Sequence, residues 1–220
     1  MYLVTAATDF EMAAFCSQYG ENPKLATFVT GIGPVETATR MAVFLAGFPH
    51  QLSCVVNIGI GGAYLGHPNR PKLLDLCLAK REILGDFGIC FDDRIEPLVG
   101  KGLVGKYDFT LDQSLLRQAC HILDEREIVY KVGNFVTVNS VSATERRGRM
   151  LGDLYHGLCE NMEGAAIARV CEEFAVPLVE LRCISNLVED RDKENWQLKP
   201  AADKCAEAAA IVLRGILDEQ

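Results

Sequence analysis

Polar residues able to hold and polarise a small ligand stand directly after the apolar runs of this 220-residue chain. The run Tyr2–Ala7 is followed by Thr8, Asp9 and Glu11, and Leu25–Thr30 by Gly31-Ile32-Gly33. Cys54–Ile60 ends among Gly59, Gly61 and Gly62, and Gly133–Asn139 leads into Ser140-Val141-Ser142. Pro177–Ser185 is followed by Asn186, and Glu160-Asn161-Met162-Glu163-Gly164 precedes a stretch of small residues. Taken one at a time, each group has an ordinary structural use. A G-x-G pair marks any tight strand-to-helix turn, and neither pair fits the dinucleotide fingerprint or the phosphate loop with its lysine. Glu11 and Glu163 suit the first turn of a helix, where the dipole favours a carboxylate, and Asn186 suits a turn.

These residues need a scaffold that brings strand ends together. The apolar runs, with a further one at Leu73–Ala79, read as buried strands. Val35–Phe48 carries apolar residues at helical spacing behind Pro34, a residue suited to a first helical turn. Leu111–Glu125, Gly164–Phe174 and Pro200–Leu217 are amphipathic at the same period. Alternating strands and helices predict an α/β fold of three layers: a central mixed, mostly parallel sheet flanked by helices, in one domain over residues 1–220. In such sheets ligands collect beyond the carboxyl ends of the strands. Residues 85–110, rich in Gly and Asp, read as a loop with room for one strand.

Composition narrows the function. Hydrophobic residues make up 49% and charged residues 24%, which is a globular balance. A net charge of −8 argues against wrapping nucleic acid or coating an anionic membrane, since both need a basic footprint. Nine cysteines without a C-x-x-C pair fit a reducing cytosol, and the four histidines stand apart from any cysteine pair, so no metal site is expected. MYLVTAATDFE has no basic region ahead of an apolar stretch, so neither a signal peptide nor a membrane span is expected and the localisation reads as cytoplasmic.

In combination, TAATDFEM, TGIGPVETA, NIGIGGAY, LLDLCLAKRE, VTVNSVSATERRG and NMEGAAIARVCEEFAVPLVELRCISN resemble the nucleoside phosphorylase/hydrolase superfamily through most of the chain. More narrowly, they resemble the nucleosidases related to methylthioadenosine/S-adenosylhomocysteine nucleosidase. Two positions depart from the adenosine-type enzymes and look like the futalosine hydrolases, which cleave a 6-oxopurine nucleoside in an alternative menaquinone route. Asn186 stands where those enzymes carry an aspartate, and Asn161 where they carry a glutamate. The segment around Trp196 is also similar to the futalosine group. An aspartic acid facing adenine donates to N7 and accepts from the 6-amino group. Hypoxanthine presents O6 instead, and an asparagine can donate to O6 while accepting from a protonated N7.

The resemblance implies N-glycosidic hydrolysis without metal or organic cofactor, in a homo-oligomer. By resemblance Glu11 orients the attacking water, Glu163 holds the ribose hydroxyls with Met162 beside the sugar, and Asn186 stabilises an N7 protonated by solvent. Ile60, Gly61, Val141, Ser142, Asn161 and Ser185 fall at substrate-lining positions in the same way. Phosphorylases of the superfamily carry a Gly-Asp-Pro-x-Arg turn after the first strand. Here the turn reads Ala7-Thr8-Asp9-Phe10-Glu11, and a carboxylate there repels phosphate. Arg146, Arg147, Arg182 and Arg191 are the candidates for contacting the benzoate of futalosine, and Trp196 could cover its aromatic tail. The alternatives are a methylthioadenosine/S-adenosylhomocysteine nucleosidase, a purine nucleoside phosphorylase, and a non-catalytic nucleoside binder on the same fold.

Overall fold

Tyr2–Ala6 (β1) and Leu25–Val29 (β2) pair in parallel at one edge of the sheet in the computed structural model, joined by the helix Asp9–Tyr19 (α1). The structure describes residues 1–98, 105–190 and 195–218. Pro34–Gly47 (α2) then leads to the long strand Cys54–Ala63 (β3), which runs through its glycines instead of ending at them. Leu76–Leu84 (β4), the hairpin Gly88–Cys90 (β5) and Ile95–Pro97 (β6), and Asp108–Thr110 (β7) follow. Gln113–Glu125 (α3), Tyr130–Thr137 (β8), Glu145–Tyr155 (α4) and Gly157–Asn161 (β9) come next, and Gly164–Glu173 (α5), Leu178–Leu187 (β10) and Leu198–Asp218 (α6) complete the order.

These elements form a single α/β domain around a mixed sheet. The sheet runs β10-β4-β8-β9-β3-β1-β2, with β7 on β4, and an added β10–β3 pairing closes five strands into a ring. Pairings β1–β2, β1–β3, β10–β3, β4–β8 and β8–β9 are parallel, whereas β10–β4, β3–β9 and β4–β7 are antiparallel. The mixed sheet expected from the sequence is found, and the β10–β3 pairing curls it shut on one side, which the apolar runs did not predict. Between β10 and β3 the register skips: Ile184 faces Gly61 and Asn186 faces Gly62, so Ser185 is an extra residue.

Helices cover both faces. Met12 and Phe15 of α1, Leu116 and Leu123 of α3, and the alanine-rich face of α6 pack on Val4, Val56, Ile58 and Leu78. Met41 and Leu45 of α2 and Ile167 and Val170 of α5 pack on Leu3, Val55 and Phe135. Among the described residues, no helix is long and apolar enough to cross a membrane.

The expected strand at Leu73–Ala79 is shifted, because Leu74 adopts a left-handed turn (φ 65°) and the strand begins two residues later. Residues 85–110 hold three short strands in their described part. Helix α4 and strand β9 were not anticipated from the sequence.

Candidate active site

Thr8 caps α1 with its hydroxyl, accepting from Glu11 N, while Glu11 Oε2 reaches back to accept from Thr8 N (3.1 Å) and Thr8 Oγ1 (2.7 Å). This reciprocal cap fixes the carboxylate at the end of β1. Its other oxygen accepts from Ile60 N of β3 at 3.1 Å. Glu11 is thus buried with backbone donors on both oxygens.

Glu163 sits at the entry to α5. Its Oε1 accepts from Gly33 N (3.1 Å), and its Oε2 lies 3.5 Å from Arg182 Nη1. The Gly31-Ile32-Gly33 turn therefore holds a carboxylate in place, a use its spacing did not reveal. Burial pushes the Glu163 carboxyl above its usual range, and Arg182 and the Gly33 amide draw it back.

Arg182 is 2% exposed and joins these groups. Its Nε donates to Glu180 Oε1 at 2.9 Å and its Nη1 to Ile60 O at 3.3 Å. Burial works against its charge, but Glu180, Glu163 and Glu11 outweigh that and hold the guanidinium firmly protonated. A side chain at Gly59 would collide with Arg182 Nη1 and come within 2.8 Å of Glu11 Oε1, so glycine is required for the two charges to approach across β3. Arg182 is committed inward, which removes it from the candidates for a substrate carboxylate. Arg147 is also engaged, with Ser140 O and Asp86, and Arg146 donates to Asp92 O. Arg191 lies outside the described residues.

Beneath Arg182 the carboxyls of Glu82 and Glu180 crowd together against Gly164. Burial first, and then their mutual repulsion, raises Glu82, and burial raises Glu180, so the pair retains a proton. Asn161 completes this layer. Its Oδ1 accepts from Glu163 N (2.9 Å) and Gly164 N (2.8 Å), and its Nδ2 donates to Glu82 Oε1 (2.6 Å). Asn161, expected to line the substrate, also uses its amide to start α5 and to anchor Glu82.

Above these groups opens a cavity of about 390 Å³. Glu11, Ile60, Gly61, Val141 and Ser142 line it, as do Asn161, Met162, Glu163, Ser185 and Asn186, so the ten residues assigned to catalysis and substrate binding by resemblance converge here. Ser185 Oγ donates to Asn186 Oδ1 at 2.9 Å, and Asn186 Nδ2 donates to Leu187 O at 3.3 Å, which orients the amide. Phe10, Ile32, Trp196 and Leu198 add an apolar rim. Two wall residues with chemistry received no place in the site from sequence reasoning: Arg182, named there only as a candidate for the benzoate, and Glu160, named only within the acidic cluster before α5. Both are charges inside strands, the one signal that could have found them. The arrangement can hold a sugar between two carboxylates, favour positive charge there, and hydrogen-bond a heterocycle at Asn186.

Residues 4–218 match the family described as the phosphorylase superfamily. The chain is 32% identical over 189 residues to the futalosine hydrolase of Thermus thermophilus, covering 84% of this chain and 79% of that one. It is 24% identical to the 5'-methylthioadenosine/S-adenosylhomocysteine nucleosidase of Staphylococcus epidermidis, covering 85% of this chain and 80% of that one. A solved structure of a futalosine hydrolase mutant of Helicobacter pylori shares the fold, with a TM-score of 0.83 at 20% identity over 100% of this chain and 99% of that one.

Proposed function

The chain belongs to the phosphorylase superfamily, and we propose that within it the protein is a futalosine hydrolase that releases hypoxanthine by cleaving the N-glycosidic bond with water. The observation that carries this reading is an oriented amide, Asn186, in the same cavity as two buried carboxylates, Glu11 and Glu163. A 6-oxopurine needs a donor at O6, which an amide supplies and a carboxylate does not.

Cleavage leaves the ribosyl carbon cation-like. In this reading Glu11 takes a proton from the attacking water, with its backbone donors holding the carboxylate in position. Glu163, in the same cavity wall, holds the ribose hydroxyls in this reading. Both put negative charge beside the developing cation, stabilising the transition state more than the ground state. Asn186 accepts from N7 after its protonation by solvent and donates to O6, neutralising the leaving base. The capped turn at Thr8–Glu11 offers a carboxylate where an anionic phosphate would have to sit, which favours water as the second substrate.

The apolar rim at Phe10, Ile32, Trp196 and Leu198 suits the aromatic tail of futalosine. Phe10, Ile32, Val35 and Val43 are exposed near this rim and along α2, which supports a self-associating surface. The nine unpaired cysteines support a reducing compartment.

The test is to incubate the protein in phosphate-free buffer with futalosine and, separately, with methylthioadenosine, and to identify the released base by chromatography. Hypoxanthine from the first alone is the expected result. Adenine from the second with futalosine untouched would replace the reading with an adenosine-type nucleosidase.

A further inference from the structure

Glu160 is a buried carboxylate in the cavity wall that the reaction outlined above does not use. Its Oε1 accepts from Ser142 N at 2.8 Å and its Oε2 from Ser142 Oγ at 2.7 Å. No cation lies within ion-pairing distance of it among the described residues, while the buried Tyr64 hydroxyl beside it and the more distant charge of Arg147 favour its ionised form and burial opposes it. A carboxylate has about four acceptor positions, so the two donors of Ser142, even with the Tyr64 hydroxyl beside them, leave capacity for a further donor. Burying such a charge without a cation is costly, and a donor from a bound molecule offsets that cost.

Its position says which donor. Glu160 pairs with Gly62 across the β3–β9 ladder. A methyl group placed on Gly62 would lie 3.0 Å from Asn186 Nδ2 and 3.5 Å from Glu160 Cγ. The Asn186 amide and the Glu160 side chain therefore flank one bare stretch of backbone in the wall of one cavity. In a 6-oxopurine the atom next to C6–O6 is N1, which carries a hydrogen. In adenine that nitrogen is a bare acceptor, beside a donating amino group.

We propose that Glu160 is a second base-reading residue, accepting the N1–H of hypoxanthine while Asn186 reads O6 and N7. This deepens the futalosine hydrolase reading and rests on it. A carboxylate can only accept, so adenine in the same pose sets its N1 lone pair against the charge, and selection comes from repulsion as much as from attraction. Ser142 acts as the positioning residue, holding both oxygens so that the acceptor edge cannot turn away.

The experiment measures equilibrium binding of hypoxanthine and adenine by calorimetry to the wild-type protein and to Glu160→Gln, alongside kcat/KM for futalosine and its 6-amino counterpart. Glu160→Gln is expected to weaken hypoxanthine binding by about 10- to 100-fold, the range for losing a charged hydrogen-bond acceptor. Its amide can turn its NH₂ toward N1, so adenine binding and turnover of the 6-amino substrate should rise and the preference should collapse. An unchanged preference in a variant that melts like the wild type overturns the proposal and leaves futalosine hydrolysis standing. Collapse of the preference in a protein that never cleaves futalosine supports the role of Glu160 and overturns the hydrolase instead. If Glu160→Gln does not fold, the wild type is titrated with 1-methylhypoxanthine, which lacks N1–H. Binding equal to that of hypoxanthine refutes the contact, and a loss of about 10-fold or more supports it.

Discussion

Replacing Arg182 with methionine removes the cation on which three carboxylates converge while keeping an apolar stem of similar length. The guanidinium lies 2.9 Å from Glu180 and 3.5 Å from Glu163. At an effective dielectric of about 20, each attraction amounts to about 5 kcal/mol. The hydration that arginine gives up offsets much of this, and removing one partner of a buried pair costs roughly 3–5 kcal/mol overall. For a chain of this size, that corresponds to a melting temperature lower by about 6–20 °C. The loss should depend on pH in a definite sense. Without the cation, Glu180 and Glu163 rise further above the carboxylate range, so the folded variant holds protons that its unfolded chain releases. That contribution is complete below about pH 4.3 and is lost as pH rises through the folded values, so the penalty is largest near pH 8 and shrinks toward pH 5. The assay is urea denaturation followed by circular dichroism at both pH values. The double variant Arg182→Met/Glu180→Gln should recover part of the loss, because one orphaned charge is gone. A penalty below about 1 kcal/mol near pH 8, with an unchanged denaturant slope, would refute the view that Arg182 neutralises this layer.

Glu180→Gln alone keeps an acceptor for Arg182 and turns an N–H toward Glu82, imitating the protonated pair. Both carboxyls are raised in the folded chain, so wild-type stability should fall relative to this variant as pH climbs above about 4.3, by at most about 1.4 kcal/mol per pH unit. Parallel melting profiles across that range count against a shared proton. Glu11→Gln should lower kcat for base release by about 10²- to 10⁴-fold with binding retained. Both Glu11 oxygens accept from backbone donors, so the variant must oppose N–H to N–H and should also lose about 1–3 kcal/mol in thermal or chemical denaturation. A stable variant at full activity removes Glu11 from the reaction. Titration of native thiols with a disulfide reagent should find Cys16 and Cys90 fast, because both are exposed. The buried thiols should react only on unfolding, burial pushing Cys54 and Cys205 up to about 12 and Cys183 up to about 11. Rapid labelling of Cys205 would contradict the packing of α6.

The strands β1, β2, β3 and β10 were legible because their largely apolar runs leave a signal, strongest in β1 and β3, which are buried along almost their whole length, and weaker in β2, which lies half-buried at the sheet edge. Strand β9 reads GLCEN and was not, since its burial comes from closure of the ring and its Glu160 and Asn161 look like surface residues. Helix α1 shows almost no amphipathic pattern and announces itself only through Thr8 and Glu11. Each residue of the proposed site could be named because it follows an apolar run and matches a motif. The layer beneath could not, because Glu82, Glu180 and Arg182 lie on two different strands and are joined only by the fold.

The skipped register at Ser185 has a consequence for how the pocket can change. Along a regular strand, adjacent residues point to opposite faces, so Ser185 and Asn186 could not both look onto one ligand. The extra residue breaks that parity, and the two side chains act as a coupled dipeptide in which the hydroxyl sets the orientation of the amide. Point replacements at either position retune the pocket without disturbing the sheet, whereas deleting a single residue between Ile184 and Leu187 reverses which face is presented. Grafting this specificity onto another strand would therefore require transferring the insertion along with the asparagine; the side chain by itself would arrive facing the wrong way.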